Sequence, residues 1–174
     1  MSDVLDHTSS RLEQQVRTLT ERIVQLKGEL AEALARVAAL TTTDDATGLY
    51  TWRAFSERAH TEFARAARYQ REIGLVVFAF AEPDVTPHGV RGLADICRSQ
   101  HRDCDLAGLT EAGEIVLLLP ETSLQGALVI AQRIRARVAK SRGPAPKMGC
   151  AAWPQHGRSL TSLLANARIA LSAS

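Results

Sequence analysis

No apolar run in this chain reaches the roughly 18 residues that a membrane-spanning helix needs. The longest, residues 73–81, has the length of a buried strand. The N-terminus, Met1-Ser2-Asp3-Val4-Leu5-Asp6, lacks the basic and apolar regions of a signal peptide. Cysteine is scarce: Cys97, Cys104 and Cys150 show no paired spacing, which argues against a disulfide framework and fits a reducing cytoplasm. An excess of one charge is also missing, since a net +2 gives no reason to expect nucleic acid or an anionic membrane as partner. There is no Walker-type phosphate loop, no Ser-His-Asp or Cys-His triad and no basic–aromatic nucleic-acid pattern. Cys97, His101 and Cys104 fall at i, i+4 and i+7, one face of a helix. Cys97 and His101 take apolar core positions and no fourth ligand is evident, so no metal is expected. What remains, 174 residues with 45% apolar and 23% charged, is a soluble cytoplasmic protein of one ordinary domain plus an appendage.

The appendage is periodic. Val16, Ile23, Leu30 and Val37 occupy one position of a heptad, and Leu12, Leu19, Leu26, Ala33 and Leu40 the other. That 3.5-residue repeat is the signature of a left-handed coiled coil, and β-branched residues at the first position with leucine at the second favour a parallel dimer. Glu13 with Arg17 and Glu32 with Arg36 are favourable i,i+4 pairs, each worth about 0.2–0.5 kcal/mol. The flanks are less complementary, because Arg22 would face Lys27 of a parallel partner. The expected organisation is a disordered segment over 1–10, a parallel dimeric coiled coil over 11–41 and a globular domain over 42–174.

Thr41-Thr42-Thr43-Asp44-Asp45 ends the heptads and offers capping side chains. The spacing then predicts a helix over 51–70, with Phe55, Ala59, Phe63 and Ala66 on one face, and a strand over 73–81. Pro83, Pro87 and Gly89 mark a loop, after which Val90, Leu93, Ala94, Cys97 and His101 sit at helical spacing. Residues 106–109 and 114–119 flank a short polar turn and read as a β-hairpin. A helix over 123–140, a strand over 147–153 and a helix over 160–173 complete the domain.

Four segments together resemble one known family. Asp44-Asp45-Ala46-Thr47-Gly48-Leu49-Tyr50-Thr51-Trp52-Arg53-Ala54-Phe55 resembles "D-x-L-T-G-L-x-N-R-R-x-F". The hairpin from Leu109 to Thr122 has the frame of Gly-Gly-Asp/Glu-Glu-Phe followed by "LLPET". Lys147-Met148-Gly149-Cys150-Ala151-Ala152-Trp153-Pro154 is similar to "S-I-G-V-A-x-x-P", and Ala131-Gln132-Arg133-Ile134-Arg135 to "A-E-R-I-R". These are motifs of GGDEF-type diguanylate cyclases, and the resemblance runs from about Asp44 to the C-terminus. It implies an α/β (α+β) fold: a palm-like domain, as in nucleotide cyclases, with a mostly antiparallel central sheet flanked by helices and preceded here by the long coiled-coil helix.

The resemblance also shows what is missing. Joining two GTP molecules needs metal ions, and hard cations need carboxylate ligands. Where the family has an aspartate at the end of its first strand, this chain reads Ala79-Phe80-Ala81. The signature turn reads Glu111-Ala112-Gly113-Glu114-Ile115, so Gly113 stands in for the hairpin acid and Glu111 and Ala112 for the phosphate-approaching glycines. The substrate-binding segment becomes Glu82-Pro83-Asp84-Val85-Thr86-Pro87-His88, and the C-terminal "A-D-x-A-L-Y-x-A-K" becomes Ala167-Arg168-Ile169-Ala170-Leu171-Ser172-Ala173-Ser174. Only Glu114 survives, so no catalysis and no magnesium site are expected.

Other family features persist. Many members bind their product, cyclic di-GMP, at an inhibitory "R-x-x-D" site, and this chain has Arg102-Asp103-Cys104-Asp105 at that offset. A guanidinium bridges phosphate or guanine acceptors bidentately, and a carboxylate accepts from a guanine edge. Arg133 matches the family's second arginine. The resemblance therefore implies a dimeric receptor or adaptor that binds cyclic di-GMP through Arg102, Asp105 and Arg133 and recruits a protein partner. The alternative is a ligand-blind scaffold that presents the 82–88 loop or the vacated cleft to other proteins.

Overall fold

The computed structural model describes residues 2–81, 86–100, 102–141 and 144–173, and side chains from residue 14 onward within those ranges, except at 35, 38 and 39. The chain divides into two compact units, Met1–Thr41 and Thr42–Ser174. Among the described residues no helix is long and apolar enough to cross a membrane.

The first unit is one helix, α1 (Ser2–Leu40). It begins at Ser2, inside the 1–10 segment expected to be disordered. Leu5 stands one heptad before Leu12, so the stripe that drives the helix reaches further back than the segment 12–40. Val16, Leu19, Ile23, Leu26, Leu30, Val37 and Leu40 are all exposed. The Leu12 side chain lies outside the described residues.

The second unit is built on a five-stranded sheet with strand order β1-β3-β4-β2-β5. The elements are β1 (Tyr50–Thr51), α2 (Trp52–Tyr69), β2 (Ile73–Ala79), α3 (Pro87–Gln100), β3 (Leu106–Leu109), β4 (Ile115–Pro120), α4 (Leu124–Lys140), β5 (Lys147–Trp153) and α5 (Leu160–Ser172). Only β1 and β3 run parallel; the other three pairings are antiparallel, as the expected sheet requires.

The central strand β2 explains the layering. It pairs with β4 on one side and β5 on the other, and six of its seven residues are buried, so it reads as an unbroken apolar run. Strand side chains alternate faces. Val76 and Phe78 join Leu93, Cys97, Ile115, Leu117, Ala131 and Ile134 in one core, under α3 and α4. Ile73, Leu75 and Val77 join Phe55, Phe63, Val116, Leu118, Leu163 and Ala167 in the other, under α2 and α5. Gly108 lets α2 close on β3, because a Cβ there would meet Phe55 Cγ at 2.6 Å.

Two local expectations need correction. Thr41–Asp45 caps no helix of the domain. Asp44 Oδ1 instead accepts from the Thr47 amide and hydroxyl at 2.8 and 2.7 Å, closing a turn, while Thr51 caps α2 through the Ala54 amide. Pro87 and Gly89 are not loop residues either, because α3 begins at Pro87. Proline suits a first helical position, and the Thr86 hydroxyl accepts from the Gly89 amide at 3.0 Å. Residues 82–85 of the proposed contact loop lie outside the described residues.

Candidate functional site

Arg102 and Asp105 form the α3–β3 connection and close it on themselves. The Arg102 amide donates to Asp105 Oδ2 at 2.7 Å, and the Asp105 amide returns a bond to the Arg102 carbonyl at 3.0 Å. The Cys104 thiol donates to Asp105 Oδ1 at 3.9 Å. Asp105 is only 7% exposed, which such a cluster of donors makes tolerable for a carboxylate. Arg133 comes to the same connection from α4: its Nη2 donates to the Gln100 carbonyl at 3.3 Å, at the C-terminal end of α3. Cations are stabilised at a helix C-terminus, so this contact has a structural benefit of its own.

Of the three expected ligand residues, Arg102 alone lines a cavity beside the C-terminal end of α2. That cavity has a volume of about 580 Å³, within the range usual for small-molecule sites. Its wall includes Arg65, Tyr69 and Arg71 from the end of α2 and just beyond it, Cys104 from the turn, and Glu121 beyond β4. Arg65, Arg71 and Arg102 share the wall with Glu62, Glu72 and Glu121, Arg65 pairing with Glu62 at 3.6 Å, so the wall offers both donors and acceptors. Gln70 (φ 52) and Glu121 (φ 51) are the non-glycine residues with positive φ among those described. Glu121 lines the cavity, and Gln70 stands between two residues that do. Arg65 and Arg71 escaped sequence reading because a surface arginine looks alike whether or not a cavity forms beside it.

The signature hairpin lies at the other end of β4. The Thr110 amide donates to the Glu114 carbonyl at 2.9 Å, and the Gly113 amide to the Thr110 carbonyl at 3.0 Å. Gly113 has φ +78, a conformation glycine adopts without steric cost. Glu111 and Ala112 are exposed at the tip, and Ala79 is half-buried at the end of β2. Glu114 has a partner that sequence did not reveal. Arg168 of α5 donates from Nη2 to Oε2 at 2.5 Å and from Nε to Oε1 at 3.1 Å. Among the described residues no three His, Cys, Asp or Glu side chains gather where they could hold a metal ion. Of the trio Cys97, His101 and Cys104, the first is buried, its thiol pushed up to about 12 by desolvation, and the last is exposed. His101 lies outside the described residues.

Comparison with solved structures places this architecture. Diguanylate cyclase SiaD of Pseudomonas aeruginosa, solved in complex with its activator SiaC, is 24% identical and superposes with a TM-score of 0.68 over 96% of this chain and 69% of its own. The fold is that of GGDEF domains. The coiled coil and GGDEF domain of DgcB from Caulobacter crescentus, solved with c-di-GMP, gives a TM-score of 0.66 at 21% identity over 94% of this chain and 93% of its own. The isolated GGDEF domain of TpbB (YfiN) from P. aeruginosa gives 0.66 at 22% identity over 75% of this chain and 87% of its own. No family model matches the sequence, and no curated protein matches it either. The likeness to GGDEF domains thus lies in the core and topology.

Proposed function

We propose that this chain is a GGDEF-fold signalling protein without cyclase activity, which binds cyclic di-GMP at the Arg102 connection and acts as a dimeric, cytoplasmic receptor or adaptor. The observation that carries it is the convergence of Arg102, Arg65 and Arg71 on one cavity, with Arg133 anchored on the α3 end two residues from Arg102. Guanidinium groups from three segments suit a ligand with two phosphates and two guanine faces. DgcB, with the same fold, was solved with this ligand. The loss of activity rests on Ala79 and Gly113 standing where carboxylates are needed, and on Glu114 being taken by Arg168. Dimerisation rests on the exposed heptad stripe, and a protein partner on the analogy of SiaD with its activator.

Calorimetric titration with cyclic di-GMP tests the reading. The Arg102 bond to Asp105 comes from its backbone amide, so Arg102→Ala leaves that bond in place. Micromolar or tighter binding, lost in Arg102→Ala, is the expected result. Unchanged affinity in the variant would sink the assignment. A second reading has its own observation: Asp105 spends its carboxylate on the turn, so the Arg-x-x-Asp pattern has a structural reason to persist without ligand. Neither heat nor thermal stabilisation at high ligand concentration would favour that ligand-blind scaffold. Incubation with GTP and magnesium is expected to give no product.

A further inference from the structure

The Glu114–Arg168 pair joins residues 54 apart in sequence, from the hairpin turn and from the last helix. It is built rather than incidental. Arg168 Nε lies 3.1 and 3.2 Å from the two carboxylate oxygens, Nη2 adds a third bond, and the Thr110 hydroxyl donates to Oε2 at 3.3 Å. The Glu114 side chain is 15% exposed and that of Arg168 46%, so the carboxylate is the covered partner. The guanidinium is delivered by backbone packing. A Cβ at Gly149 would run into the Ala167 carbonyl and come within 2.7 Å of the Leu171 amide, so α5 rests directly on β5 beside Arg168.

We propose that Arg168 is a resident counter-ion: it occupies both oxygens of the one signature carboxylate left, ties α5 to the β3–β4 turn, and shuts that carboxylate off from divalent cations. A covered carboxylate whose partner is removed is costly, because its desolvation is no longer offset. A fork that fills both oxygens leaves little for a metal to bind. The device holds whether or not the Arg102 cavity takes a nucleotide.

A double-mutant cycle on the full chain tests it. Arg168→Ala lowers the folding equilibrium constant by roughly tenfold. Glu114→Gln, costly in the parent, costs far less in the Arg168→Ala background, and amide exchange at Thr110 and Gly113 quickens in Arg168→Ala. Additive effects of the two substitutions would overturn the proposal, as would unchanged exchange at the turn. If Arg168→Ala does not fold, the neutral pair Glu114→Gln/Arg168→Gln must; failure of both overturns it as well. Manganese leaves the parent's melting temperature unchanged, and a manganese-dependent rise removed by Glu114→Gln would refute the closure.

Discussion

Asp105 and Arg102 show how a single turn can hold two kinds of information. The carboxylate receives the Arg102 amide at 2.7 Å while nearly buried, whereas the Arg102 side chain reaches the cavity wall. Asp105→Ala should therefore cost about 1–3 kcal/mol by leaving that amide without its acceptor, with Asp105→Asn milder, both read by urea denaturation. Arg102→Ala should cost most of the ligand affinity while the amide bond to Asp105 stays in place. The cysteines divide as sharply. Cys104 is exposed, while burial raises the Cys97 thiol to about 12 and that of Cys150 to about 11. Cys104 is expected to react quickly with an aromatic disulfide reagent at pH 8, half-buried Cys150 more slowly, and Cys97 only on unfolding. The linkage has a definite sign. The thiol ionises near 9.0 when unfolded and higher when folded, so the stability held by neutral Cys97 is full below pH 9.0 and lost as pH rises toward 12. Alkaline denaturation of Cys97→Ser and parent proteins measures it.

Among the elements, those with a long uniform pattern were legible. The apolar run of β2, the period of α2 and the strand β5 follow from burial on two faces or one, and Lys147–Trp153 agrees with its expected bounds. Strand β1 is illegible in the sequence because two residues carry no period; Tyr50 and Thr51 are strand because Gly108 and Leu109 lie beside them on one side and Thr42 and Thr43 on the other. The start of α3 was missed because Pro87 and Gly89 break helices in general but not in a first turn. The Arg168 contact was illegible for another reason: nothing local to the hairpin or to α5 shows that they meet. The contact of α2 with β3 gives a test at this scale. Phe55 is fully buried, and Gly108 leaves room for its ring. Phe55→Ala should destabilise by about 3–5 kcal/mol, and Gly108→Ala by about 1–3 kcal/mol through overpacking, each measured by denaturant titration.

The whole molecule poses the question of what covers α1. Ile23 is 53% exposed and Leu26 47%, within a stripe that recurs every seven residues from Val16 to Leu40. The proposed dimer would cover it with a second copy of the same helix, because mostly β-branched residues at one heptad position and mostly leucine at the other favour a two-stranded parallel coil. Ile23→Lys should convert the dimer to a monomer in sedimentation while leaving the cores of the Thr42–Ser174 unit untouched. Orientation is separable from association. In a parallel pair Val37 meets its own copy, so Val37→Cys in a Cys104→Ser background should cross-link under mild oxidation; an antiparallel pair would hold those two thiols far apart. The flank charges add a salt dependence of unusual sign. In the proposed parallel pair Arg22 would oppose Lys27 of the partner, a repulsion at exposed positions that salt screens within a Debye length of about 10 Å at 0.1 M. Dimerisation of the parallel coil should therefore tighten as salt rises, and Lys27→Glu should both tighten it at low salt and reverse the trend.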